Sequence, residues 1–235
     1  MIITKSIPYR STFLAQEAAD AWKYFQKNGY PNSKNENWRF SNPTPWLNLK
    51  GERVLSESDF EKEYSDHISP DSIPIIITNE NLVVTQSLPE GIQVIDINAE
   101  SKRKISRESF WKVADYHASS FVAENTALFQ NYIIIHVEEG TKLEHPIHLI
   151  HLIRAESGCR LFPRIHVNIA TGAEIEIWKT EIGKDNAAHY INSVTEVVVH
   201  ENAHLKWTNS QEINLKTGYI SSFNISLKKD ASVKY

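Results

Sequence analysis

The chain has 235 residues and a mass of 26.9 kDa, with 25 Lys and Arg against 29 Asp and Glu for a formal net charge of −4. Its 41% hydrophobic and 23% charged residues fit one large or two small globular domains with a core that needs no staples, and mild acidity argues against nucleic acid as a partner. The single cysteine, Cys159, excludes an internal disulfide framework. The apolar run Ile133–Val137 is far short of the ~20 residues of a membrane span, and no basic region at the start leads into an apolar one. A cytoplasmic protein is therefore expected.

In chain order, residues 11–28 place Leu14, Ala18, Ala21, Trp22 and Phe25 at helical spacing, with Gly29 as C-cap and Pro31 as stop. A loop with Trp38, Pro43, Pro45 and Trp46 follows. Ser58 and Glu61 form a capping box that predicts a short helix over 58–64. Residues 75–78, 82–85 and 92–97 read as short strands, the first two joined by a turn at Asn79-Glu80-Asn81. A polar linker spans 99–104. A third helix is expected over about 107–119, packing through Phe110, Trp111, Ala114 and His117 or Ala118.

The last hundred residues carry an internal repeat. Four segments share one pattern: an apolar residue, two free positions, Gly, Asn or Asp, a small residue, a free position and an apolar residue. They are residues 137–143, 169–175, 199–205 and 227–233, and the small residues are Thr141, Ala173, Ala203 and Ala231, at intervals of 32, 30 and 28. Gly, Asn and Asp tolerate positive φ, which predicts a left-handed corner at the fourth position. Beyond it Ala173, Ile175 and Ile177 point inward and Glu174, Glu176 and Trp178 outward, and Ala203, Leu205, Trp207 and Ala231, Val233, Tyr235 repeat that phase. One such strand–turn–strand unit cannot bury its inner face alone. Stacking does so, and the fold class expected is mainly β, a β-solenoid with a repeat of ~30 residues, preferred over a meander of hairpins in an ordinary sandwich. It runs over residues 121–235, behind a helical and α+β region over 1–120.

Chemistry-bearing motifs are scarce. No two of the eight glycines lie closer than eleven positions, so neither a Walker loop nor a dinucleotide fingerprint is present. His136, His145, His148, His151 and His166 evoke a metal site. On a strand, however, residues three apart face opposite ways, and His145 and His151 would lie about 20 Å apart unless Pro146 breaks the strand. Cys159 has Arg160 and Arg164 nearby, an arrangement that lowers a thiol pKa, although a lone cysteine most simply serves as a small hydrophobe. Glu138, Glu139, Glu174 and Glu176 read as solvated turn and outer-face residues. No catalytic, cofactor-binding or metal-binding residue is assigned.

The segment Gly29-Tyr30-Pro31-Asn32-Ser33-Lys34-Asn35-Glu36-Asn37-Trp38-Arg39-Phe40-Ser41 resembles the N-terminal signature G-x-P-x-x-K-x-E-x-W-[RK]-[YF]-[ST] of the SufD family, scaffold subunits of the SUF iron–sulfur cluster assembly system. The stretch 121–129, the run 133–140, Pro146-Ile147-His148-Leu149 and Pro163-Arg164 also resemble that family, in the same order over nearly the whole chain. The resemblance implies a right-handed parallel β-helix behind an N-terminal α/β region, and a complex of SufB, the ATPase SufC and SufD. It implies no enzymatic activity for the chain and no cofactor in it alone, an iron–sulfur cluster being a product of the full complex. Family members are much longer and close with a C-terminal helical domain that docks on SufC, so the sequence is expected to be a fragment lacking that part. The rival expectation is a carbohydrate-active β-helix enzyme, which requires paired carboxylates on neighbouring coils. The position after the small residue holds Lys142, Glu174, His204 and Ser232 instead.

Overall fold

The computed structural model describes residues 15–47, 49, 64–83, 87–96, 113–154, 158–183 and 187–235. The first helix, α1, runs Ala15–Asn28 and buries Ala18, Ala21 and Phe25. It ends at Gly29, where φ is +65°, as the glycine and the following proline require. The segment beyond forms a 3₁₀ turn at Glu36–Trp38 and a short helix, α2, at Thr44–Leu47. The helix expected over 58–64 falls almost wholly outside the described residues, as do the 99–104 linker and Leu14.

Strands β1 (Ile73–Thr78) and β2 (Asn81–Val83) pair antiparallel, with Thr78 opposite Asn81. Asn79, at φ 54°, makes the expected turn. Strand β3 (Ile92–Asp96) follows. Of the helix expected over about 107–119, residues 113–119 form bends and turns instead, and 107–112 lie outside the described residues. The Asp115 carboxylate accepts from the His117 amide at 2.9 Å, a local bond that competes with helix formation. Ser119, in extended conformation, caps a helix α3 at Ser120–Leu128 by accepting from the Phe121 amide. Residues 121–127 are all buried, so α3 lacks the amphipathic stripe by which a surface helix is read.

The remaining chain is a parallel β-solenoid. The strands β4 (Ile133–Val137), β7 (Arg164–Ile169), β9 (Tyr190–Val199) and β11 (Gly218–Leu227) run parallel in one sheet, with β3 antiparallel at its N-terminal edge. A two-residue strand, β6 (Arg160–Leu161), pairs with β9. The other sheet holds β5 (Ile147–Leu152), β8 (Glu174–Gly183), β10 (His204–Ile213) and β12 (Ser232–Lys234), extended by β1 and β2. Each coil gives one strand to each sheet.

The four repeated corners lie where the sequence puts them. In each, the fourth residue of the turn donates to the carbonyl of the first: Thr141 to Glu138, Ala173 to Ala170, Ala203 to His200 and Ala231 to Lys228. Gly140, Gly172, Asn202 and Asp230, one before each small residue, have φ from 55° to 70°, the geometry of a type II turn. Ala173 and Ala203 are fully buried, and their coils place Ile175, Ile177, Leu205 and Trp207 in the core between the sheets. Lys142 pairs with Glu174 but Ile147 with Ile177, so the first coil carries two extra residues between corner and strand. They bow out at 143–146, where Pro146 precedes β5.

At Ala173 and Ala203 the corners leave no room for a larger side chain. Ala173→Leu is expected to destabilise the protein by about 1–3 kcal/mol through overpacking, measured by urea denaturation; an unchanged midpoint would show the corner to be loose.

Candidate functional site

The histidines singled out in the sequence do not converge. His145 is exposed on the bowed segment, so the strand does break before Pro146. His148 lies on the outer face of its sheet, its Nε2 2.9 Å from Thr180 Oγ1, whereas His151 points between the sheets. His136 and His166 are on the outer face of the other sheet, and His136 Nδ1 accepts from Asn168 at 2.9 Å. Burial and the nearby His67 lower the His148 pKa; burial likewise lowers that of His166. Among the described residues no group of three His, Cys, Asp or Glu side chains is arranged to hold a metal ion.

Cys159 is fully buried in an apolar cluster with Ile153, Leu161 and Ile191. Arg160 and Arg164 serve carboxylates instead. Burial disfavours the Arg160 charge, but Glu124 and Tyr30 more than offset it, and the pKa is raised.

The ordered polar chemistry lies in two buried clusters that periodicity did not reveal. The first is an inlay between α3 and the outer face of the β4–β7–β9 sheet. Arg164, fully buried, donates from Nε and Nη2 to Glu196 Oε2 at 3.1 and 3.0 Å and from Nη1 to Asn125 and Thr126. The Tyr132 hydroxyl donates to the same Glu196 oxygen at 2.7 Å. One rung away, Glu124 binds Arg160, accepts from the Tyr190 hydroxyl at 2.7 Å and from Asn192 at 3.0 Å, and meets the Tyr30 phenol. Burial works against ionised Glu196, yet Arg164 and the Tyr132 bond hold its pKa below the ordinary value. Burial and the adjacent carboxylates push Tyr30, Tyr132 and Tyr190 upward.

The second cluster sits inside the solenoid. The inward phase of β8 continues from Ile177 to Lys179 and Glu181, whose side chains pair at 3.0 Å. His151 Nδ1 lies 3.4 Å from Glu181 Oε1 and its Nε2 2.7 Å from the Asn79 carbonyl, while the Tyr219 hydroxyl donates to Glu181 Oε2. Burial opposes ionisation of Glu181, but Lys179, His151 and Tyr219 outweigh it and hold its pKa at about 2. On the outer face the column Lys142, Glu174, His204, Ser232 is in register across four coils. Lys142 bonds Glu174 at 2.6 Å and Lys206 bonds Glu176 at 2.8 Å.

Because the Glu181 carboxyl is depressed from 4.5 to about 2, its contribution is full above the unfolded value and lost as pH falls toward 2. Glu181→Gln should flatten the acid limb of the stability–pH curve between about pH 4.5 and 2. Glu181→Leu, leaving Lys179 buried without its carboxylate, is expected to cost about 3–5 kcal/mol, and Lys179→Met with Glu181→Leu much less. Denaturant titrations across pH check both; a double variant as unstable as the single one would contradict the pairing.

Two family models together match nearly the whole chain. Residues 5–149 match the SufBD protein N-terminal region, and residues 151–235 the SufBD core domain of SUF system FeS cluster assembly. The chain is 27% identical over 205 residues to Protein ABCI7, chloroplastic, of Arabidopsis thaliana, covering 81% of this chain and 42% of that protein. It is 20% identical over 209 residues to the iron–sulfur cluster assembly protein SufD of Escherichia coli (strain K12), covering 88% and 48%. It thus spans somewhat less than half the length of these curated relatives.

Proposed function

The chain belongs to the SufBD family of the SUF iron–sulfur cluster assembly system, and from that premise we propose that it is a SufD-like, non-catalytic, cytoplasmic scaffold component. In this reading it works in a complex with a SufB-like subunit and a SufC-like ATPase, touching neither nucleic acid nor membrane. It carries no cofactor of its own; the iron–sulfur cluster is a product of the full complex. In this reading the helical and α+β region is assigned to residues 1–120 and the β-helix core to 121–235.

The observation that carries the reading is where the ionisable groups are. Arg164, Lys179, Glu124, Glu181 and Glu196 are buried and engaged with packing partners. Such groups fix the geometry of a frame rather than meet a substrate. A carbohydrate-active enzyme is the weaker reading, because the register neighbours of Glu174 are a lysine and a histidine rather than a second carboxylate.

The test is co-expression of the full-length protein with the SufB-like and SufC-like subunits of its own genome, read by size exclusion with mass determination. A stable three-component complex is expected. Association of the other two without this protein, or glycan cleavage by the purified chain, would overturn the proposal.

A further inference from the structure

We propose that residues 29–47 form a strap that closes over the outer face of the solenoid by seating Trp46 where Gly218 lacks a side chain, and that it opens as a unit about Gly29. The β6–β9–β11 rungs place Arg160 beside Tyr190 and Tyr190 beside Gly218. Arg160 lies over the Tyr190 ring at 5.0 Å. The third rung of that row has no side chain of its own, and Trp46 takes the place: a Cβ built on Gly218 would fall 2.2–2.6 Å from Trp46 side-chain atoms. At the near end of the strap the Tyr30 phenol binds Glu124 and Arg160. The strap therefore grips the row at both ends and reaches across three coils.

Between these anchors Trp38 packs on Phe121 at 4.8 Å between ring centroids, while the exposed residues include Phe40, 92% accessible. Among the described residues, the backbone hydrogen bonds of 29–47 close within α1, the strap itself or the adjoining Leu49. Opening breaks no sheet bond. Gly29, at φ +65° with nothing within 4 Å of a built Cβ, stands free to act as the hinge. An open strap bares the apolar surface of Phe121, Phe162, Tyr190 and Ile220 that Trp38, Trp46 and Leu47 otherwise help to cover. The device does not depend on the assembly role proposed above, and its test reads the chain alone.

Gly218 has an ordinary φ, so alanine fits its backbone, and the three atoms nearest its Cβ all belong to Trp46. In the full-length protein, Gly218→Ala is expected to raise chymotryptic cleavage within residues 32–45 by about tenfold or more, since proteolysis follows the open population. Cleavage within the solenoid should stay at the parent level. Trp46→Ala should raise strap cleavage similarly, and Gly218→Ala should add nothing further in that background, because both remove one contact. Trp46→Phe should retain most of the protection. Unchanged strap cleavage in Gly218→Ala, additive effects in the double variant, or equal loss of protection in β9 and β11 would each overturn the proposal.

Discussion

Everything in the solenoid depends on one backbone constraint: each coil must turn at a residue of positive φ followed by a small side chain, fully buried at Ala173 and Ala203. A corner in that geometry bonds to the corner above it. Gly140 donates to Thr171, Gly172 to Glu201 and Asn202 to Lys229, so the turns form a ladder of their own alongside the two sheets. Glycine enters this conformation freely, and Asn and Asp do so at small cost. With the corner fixed, the strand phase on both sides follows. Inward positions are apolar next to the corners and become polar farther along, where Lys179 and Glu181 neutralise each other in the interior.

The second organising feature is the polar inlay beneath α3. A helix laid on a sheet normally meets it through an apolar stripe. Here Glu124, Asn125 and Thr126 face the sheet, and Arg160 and Arg164 reach up to them. Removing two charges from water is costly, so such pairs add little net stability, but their geometry tolerates few alternatives. Asn125 donates both to the Pro163 carbonyl and to the Asn192 carbonyl. This ties α3 to the approaches of two successive coils, and α1, packed on α3, is carried with it. Helices α1 and α3 are thereby tied to the solenoid.

Much of the fold is legible in the sequence because it comes from local rules. The repeat gives the corners, the alternation gives the inner face, and Asn79-Glu80 gives the hairpin. Helix α3 is not legible. With neighbours on all sides it shows no period. Tertiary chemistry is hidden for a similar reason. Arg164 and Glu196 are 32 positions apart and meet only through the coil register; Arg160 and Glu124 meet only once α3 is docked. The repeat could have signalled the first pair, since it sets Glu196 one rung diagonally from Arg164. Beside Cys159 in sequence, the arginines suggested thiol activation, yet they extend to the opposite side of the sheet. Resemblance to the SufD family supplied what periodicity could not, the assembly system to which the chain belongs.

Native-state hydrogen exchange on the full-length protein tests most directly whether the helical region and the solenoid form a single frame. If the inlay joins them, the amides of α3 and β9 exchange through the same opening, with the same free energy and the same denaturant dependence. Exchange of α3 through a separate, lower-energy opening while β7 and β9 remain protected would contradict it.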